Sequence, residues 1–231
     1  MFYNNKHIIA SGDIIKMAKN ITKVALIYDF DETLSTTYMQ DYILIPALGD
    51  KPDHFWKTAN QWSKDHCADQ ITGTMYYIQQ SAKEKGIKVS CDLNYRGKLW
   101  TRAEAREAMT KLCEYVDVCI SNEEDAKDVF GIEAEATDIY GGKLNHEGYK
   151  SVAKQLADKF GFEYVAITLR ESRSAFDNGW SAMLYDVKAD EYCFSKKYDL
   201  HIIDRVGGGD SFGGGLIYSL LSGKDTQAAV E

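Results

Sequence analysis

Three short clusters carry the side chains of this 231-residue chain that could do chemistry. Near the C-terminus, Gly207-Gly-Gly209 runs straight into Asp210, and six of the 18 glycines fall within 207–215. A glycine triplet turns tightly. If it opens a helix, the first N–H groups have no carbonyl partner, and these donors plus the positive end of the helix dipole make an anion site. A carboxylate beside a bound phosphate can take the proton of an attacking hydroxyl. Gly213, Gly214 and Gly215 each cost about 1 kcal/mol in a helix relative to Ala, so close approach of backbone or ligand is expected there. The plainer alternative is a flexible hinge with a solvated Asp210. Phe212, Leu216 and Leu220 argue against it, because they continue an i, i+4 apolar stripe.

The second cluster is Tyr28-Asp-Phe-Asp-Glu-Thr-Leu34. Asp29 and Asp31 at a strand end can converge on one Mg2+, one carboxylate attacking a phosphorus while the other moves a proton. An Asx-rich turn is the alternative. The third is Asp92-Leu-Asn-Tyr-Arg96, where Asp92 could also do no more than cap the next turn.

Each cluster follows a short apolar run, so the elements that position them are strands. Lys23–Tyr28, Ile87–Leu93, Val116–Ile120 and Glu163–Leu169 are β-favouring, and strands of a parallel sheet are apolar on both faces. Helices are expected at roughly 36–48, 53–66 and 70–85, with both prolines, Pro46 and Pro52, punctuating them. Thr101-Arg-Ala-Glu104 is a capping box ahead of the stripe Ala105, Ala108, Met109, Leu112, Cys113, Val116. Ser121-Asn-Glu-Glu124 is a second such box, for a helix ending at Gly131. Tyr149, Val152, Ala153, Leu156 and Phe160 form a further stripe, ended by Gly161. Ala182–Val187 and Glu191–Ser195 flank a Lys188-Ala-Asp190 turn as a hairpin, and Leu200–Asp204 enters the glycines. The last helix is expected from about Gly209 to Leu221. Alternating strands and helices predict an α/β fold, a mainly parallel Rossmann-like sheet with helices on both faces. Chemistry in such sheets collects at the carboxyl ends of the strands.

Composition narrows the function further. The formal charge of −8 and pI near 5.2 speak against broad nucleic-acid binding, which needs a basic face. No apolar run approaches the ~20 residues of a membrane span, and no secretory signal pattern opens the chain. Cys91, Cys113 and Cys119 lie in apolar runs and no CxxC occurs, as in core thiols of a reducing cytosol. A soluble cytoplasmic protein is expected. The five histidines show no metal-ligand spacing.

Asp204-Arg-Val-Gly-Gly-Gly-Asp-Ser-Phe-Gly-Gly-Gly215 resembles the second signature of the ribokinase-like (PfkB) carbohydrate kinases, D-T-x-G-A-G-D-x-F-x-x-G, with Arg205 and Gly208 as departures. Asp92-Leu-Asn-Tyr-Arg96 resembles the D-x-N-x-R strand end of 2-keto-3-deoxygluconate kinases, and Asn122-Glu-Glu-Asp125 the family's N-x-x-E motif with Asp in the last place. The resemblance covers about 87–231. It implies ATP and Mg2+ as cofactors and a small sugar acid as substrate, with no nucleic-acid or membrane partner. It also implies Asp210 as catalytic base, Gly207, Gly208 and Gly209 as anion hole, and Arg96 as substrate contact. Asn94, Thr168 and Arg170 would face ATP, although the family's T-x-G-x-x-G glycines are absent after Thr168. Asn122 and Asp125 would support the metal through water. Arg96 as a surface ion-pair partner, and Asn122 and Glu124 as mere helix caps, remain open.

Residues 29–34 resemble motif I of the haloacid dehalogenase (HAD) superfamily, D-x-D-x-T-L. That implies Asp29 as nucleophile, Asp31 as acid/base and Thr33 in support, and this resemblance runs over about 23–86. The resulting expectation is a leader at 1–22, a HAD-like fragment at 23–86 and a kinase-like fragment at 87–231. Neither family pattern is complete, so turnover by the kinase part is expected to be weak or absent. A HAD-type phosphatase and a non-catalytic fusion remnant stand as alternatives. Neither the sugar nor the oligomeric state is fixed by the sequence.

Overall fold

The computed structural model describes residues 38–66, 69–98, 100–133, 146–174, 176–204 and 206–231. The expected leader, the strand at 23–28 and the Asp29–Thr33 motif lie outside the described residues.

Four helices come first: α1 (Met39–Tyr42), α2 (Leu44–Ala47), α3 (Pro52–Asp65) and α4 (Gln70–Glu84). Pro52 occupies the first turn of α3, where its missing N–H costs nothing. Asp69 caps α4 by accepting from Thr72 N–H. The pair packs around Ile45, Leu48 and Phe55, with Phe55 edge-on to Trp56 and Tyr77. Gly73 sets the helix spacing: a Cβ there would lie 1.9 Å from Ser63 Oγ and 2.7 Å from the Ala59 carbonyl oxygen.

The alternating region contains β1 (Ser90–Asp92), α5 (Arg102–Cys113), β2 (Val118–Asn122), α6 (Glu123–Asp125) with a π turn (Ala126–Phe130), and α7 (His146–Phe160). Then follow β3 (Tyr164–Ser172), β4 (Asp177–Asp186), β5 (Glu191–Phe194), β6 (Tyr198–His201), α8 (Gly208–Leu221) and α9 (Thr226–Val230). The sheet runs β1-β2-β3-β4-β5, and β6 also pairs with β4. β1, β2 and β3 are parallel, while β4 pairs antiparallel with β3, β5 and β6. The α/β architecture therefore has a mixed sheet whose parallel part is the β1–β3 side.

Both faces are covered. On one, Val165, Ile167, Leu169 and Met183 meet α5 and α7 through Met109, Leu112, Val152 and Leu156. On the other, Ile120, Ala166, Ala182 and Leu184 meet Leu216 of α8 and Ala229 and Val230 of α9. Burying a side chain such as Leu216 contributes about 1.5–3 kcal/mol, which anchors α8 to the sheet.

Several local expectations hold. Thr101 and Glu104 form the reciprocal capping box. Gly131 and Gly161 end their helices at φ 69° and 75°. Lys188–Asp190 turns the hairpin, with Asp190 at φ 51°. Others need correction. The N-cap of α6 is Asn122, not Ser121: Asn122 Oδ1 accepts from Glu124 and Asp125 N–H, while Ser121 is held in the β2 ladder. β1 is shorter than Ile87–Leu93, and Ile87 is exposed. β4 begins well before Ala182, and α9 was not foreseen. A Cβ at Gly213 would stand 3.4 Å from Ile120 Cδ1, the close approach expected, but none of the described residues lies within 4 Å of a Cβ at Gly214 or Gly215.

The expected boundary near Gly86 is a turn with φ 66°, and packing crosses it. The Tyr76 and Tyr115 rings lie 5.5 Å apart, Lys83 Nζ donates to the Glu114 carbonyl at 2.8 Å, and Met75 joins the larger core. Cys91, Cys113, Cys119 and Cys193 are buried free thiols. Among the described residues no helix is long and apolar enough to cross a membrane.

The tight crossing at Gly73 makes Gly73→Ala lose about 1–3 kcal/mol of stability, because α3 and α4 must separate. Gly214→Ala, in open space, is neutral or gains up to about 1 kcal/mol. Urea unfolding of the two variants checks the contrast, and equal midpoints contradict it.

Candidate active site

α8 begins at Gly207, whose φ of 75° is a left-handed conformation that L side chains rarely adopt. No side chain caps the helix. Ser211 N–H reaches back to the Gly207 carbonyl at 2.8 Å, so the N–H groups of Gly208, Gly209 and Asp210 have no intrahelical acceptor. Among the described residues nothing lies within 4 Å of where a Gly208 Cβ would be, and a Gly209 Cβ would stand 3.9 Å from Asp92 Oδ2. The turn is open to a ligand on one side and touches the tip of β1 on the other.

Asp210 sits in the first turn of α8 and is exposed. Its Oδ2 lies 4.0 Å from the position of a Gly207 Cβ, so the carboxylate folds back over the glycine turn. Asp92 ends β1. Partial desolvation at the strand tips pushes its carboxyl up; the Asn94 N–H at 3.1 Å opposes this, the nearby Asp210 charge adds to it, and Arg96 opposes it again. Asp92 does cap the turn after β1, through that Asn94 contact. Asn94 itself takes φ 37°, a strained conformation for a residue other than glycine.

Asp125 is buried at the start of the π turn, and its Oδ1 accepts from Tyr95 N–H at 3.1 Å. Burial pushes its carboxyl up to about 6; the Tyr95 N–H opposes this, the Asp92 charge reinforces it, and Arg96 opposes it. Arg96 is exposed and donates to the Tyr95 carbonyl at 3.3 Å. It forms no direct ion pair among the described residues, so the surface-pair alternative has no partner here. The three carboxylates and Arg96 form one cluster at the carboxyl ends of β1 and β2.

Residue alternation decides what else shares this face. Ala166 packs on the α8 side of the sheet, so Thr168 and Arg170 of β3 belong to that side too. Thr168 is level with Asn122 across the parallel ladder. The candidate residues Asp92, Asn122, Thr168, Arg170 and the glycine turn thus gather at one end and one face, while Asp125, Asn94 and Arg96 line the neighbouring β1 exit. Asn122 spends its side-chain oxygen on two helix N–H groups, which is the capping alternative. No group of three His, Cys, Asp or Glu could hold a metal among the described residues. Sequence reasoning passed over the Asp125–Tyr95 link and Asn178, a fully buried amide on β4 with no hydrogen-bond partner. No sequence motif marks either.

A glycine-led helix over the tips of parallel strands, both sheet faces covered, is the ribokinase-like α/β arrangement. Residues 66–231 match the pfkB family carbohydrate kinase family, and the chain belongs to that family. The match begins upstream of Gly86, so α4 falls within the kinase family's span. The chain is 26% identical over 205 residues to a 2-dehydro-3-deoxygalactonokinase of Haloferax volcanii, covering 89% of this chain and 56% of that protein. It is 45% identical to the 2-dehydro-3-deoxygluconokinase of Thermotoga maritima, with a TM-score of 0.64, over 71% of this chain and 48% of that one. A PfkB family carbohydrate kinase from Listeria grayi is 30% identical, with a TM-score of 0.60, over 70% and 46% of the two chains. The chain thus spans about half the length of these relatives.

The Asp125 carboxyl has a pH consequence. Its folded pKa of about 6 lies above the ordinary 3.8, so ionising it disfavours the native state. The penalty is absent below about pH 4, grows as pH rises towards 6, and is complete above. Asp125→Asn, which cannot ionise, gains of order 1–3 kcal/mol relative to wild type between pH 4 and pH 7. Urea unfolding across that range reads the difference, and parallel profiles contradict it.

Proposed function

We propose that this chain carries the phosphoryl-transfer half of an ATP-dependent kinase acting on a sugar or sugar acid, of the 2-keto-3-deoxygluconate type. The observation that carries the reading is the Asp210 carboxylate folded over Gly207–Gly209, within electrostatic reach of the β1 tip. Phosphoryl transfer needs positioning, charge neutralisation and one base. The free N–H groups of Gly208 and Gly209 receive the migrating phosphoryl group. Asp210 takes the proton of the acceptor hydroxyl. Arg96, not tied into an ion pair, is free to grip a carboxylate through its bidentate fork. Thr168 and Arg170 lie on the side of the nucleotide, and Asn94 at the β1 exit close to its phosphates. The Thermotoga 2-dehydro-3-deoxygluconokinase and the Haloferax 2-dehydro-3-deoxygalactonokinase, as relatives, support the sugar-acid class.

Mg2+ bound with the nucleotide neutralises phosphate charge and keeps much of its own water. The residues fit that role rather than a closed cage. Asp125 has one oxygen engaged by Tyr95 N–H and Asn122 is a cap, so support from them runs through water. A reducing cytoplasmic setting accords with the buried free thiols. A phosphatase reaction at Asp29, Asp31 and Thr33 is a separate reading, tested by phosphate release that Asp29→Asn abolishes.

With ATP, Mg2+ and 2-keto-3-deoxygluconate, the chain is expected to form ADP, and Asp210→Asn to lower the rate by about 10²–10⁴-fold with little change in KM for ATP. Equal rates in the two proteins overturn the assignment. Nucleotide binding without turnover in wild type favours the non-catalytic remnant.

A further inference from the structure

The loop that leaves β1 is held from two sides. Asp92 Oδ1 accepts Asn94 N–H at 3.1 Å from within the same segment. Asp125 Oδ1 accepts Tyr95 N–H at 3.1 Å from a different element, thirty residues further along the chain. Tyr95 OH also donates to the Trp100 carbonyl at 3.2 Å, closing the loop's far side. Between these ties Asn94 is kept at φ 37°, which a non-glycine residue leaves unless neighbours hold it there. Arg96 follows at once, donating to the Tyr95 carbonyl, and its positive charge acts on the Asp92 and Asp125 carboxylates alike.

Asp125 is suited to hold rather than to bind. It is 6% exposed, whereas Asp92 and Asp210 stand at the open rim. Its own N–H is fixed by Asn122 Oδ1, so the carboxylate stems from a capped, buried turn. One of its two oxygens is committed to the loop. A buried carboxylate that accepts a backbone N–H holds the segment that carries it, because leaving either partner unpaired in a poorly solvated place is costly.

We propose that Asp125 is a positioning residue: by clamping Tyr95 N–H, it fixes the backbone that carries Arg96 and so sets where the guanidinium meets the carboxylate of the sugar acid. The proposal rests on the kinase reading for its substrate and assigns Asp125 to substrate recognition rather than chiefly to the metal. Losing the clamp releases the 94–96 loop, and the exposed Arg96 side chain loses its fixed base. Affinity for the acid then falls, while the α8 turn and its phosphate site are untouched.

One measurement needs no turnover. Hydrogen exchange at the Tyr95 amide is compared in wild type, Asp125→Ala and Asp125→Asn. Asp125→Ala is expected to speed the exchange at least tenfold. Asp125→Asn keeps an acceptor oxygen and is expected to restore most of the protection. If Asp125→Ala does not fold, Asp125→Leu, which also lacks an acceptor, is read in its place. Unchanged exchange in a folded variant without the acceptor overturns the proposal. Kinetics then test the substrate part. KM for 2-keto-3-deoxygluconate rises about tenfold in Asp125→Ala, with KM for ATP and the Mg2+ activation constant within twofold of wild type. A shifted Mg2+ constant with an unchanged sugar KM makes Asp125 a metal-side residue and overturns the proposal. Absence of turnover in wild type sinks the kinase reading, and the exchange results still decide the clamp.

Discussion

The closeness of α8 to the sheet is the constraint on which the site depends. Gly213 faces the sheet with no side chain, and a Cβ there would stand 3.4 Å from Ile120 Cδ1 of β2, at the edge of ordinary contact. Leu216, one turn on, is buried in the same contact. Because the helix lies this low, its first turn reaches the strand tips, and Gly209 comes beside the Asp92 carboxylate. A residue larger than Ala at 213 would press on Ile120 and lift the first turn away from the acids at the β1 and β2 ends. The left-handed Gly207 then turns the chain so that those N–H groups open outward.

Charge at this end of the sheet is deliberately unbalanced. Asp92, Asp125 and Asp210 converge with Arg96 as the cation acting on the first two. Desolvation first, and then repulsion between neighbouring carboxylates, raises the Asp92 and Asp125 carboxyls, a pattern common at functional sites. Asp210 is the member exposed on the helix, in the first turn of α8. The burial of Asp125 makes it the member most constrained by its surroundings, and the one through which β2 and the β1 exit are joined.

Much of this was legible in the residues. The Thr101–Glu104 box, the apolar stripes of α5 and α7, the glycine stops and the Lys188–Asp190 turn are local features whose cause lies within a few residues. The glycine turn and Asp210 were legible for the same reason. What was not legible depends on partners far along the chain. Ser121 and Asn122 are both good caps, and only pairing of β2 with β3 through Asn122–Thr168 decides that the strand consumes Ser121. The antiparallel course of β4 follows from its long pairing with β3, which a short apolar run at 182–187 does not announce. Asp125 reads as a metal-side residue by motif, and its bond to Tyr95 exists only once β1 and β2 lie side by side.

The central claim is that the open N–H groups of the α8 turn grip the phosphates of a nucleotide. Calorimetric titration of the chain and of Gly208→Val with Mg-ATP tests it most directly, since a side chain at 208 has free space to fill and nothing in the fold to displace. The account predicts binding by the wild-type chain, at least tenfold weaker binding by the variant, and the same melting temperature for both. Equal affinities, or no heat of binding in the wild-type chain, would contradict it.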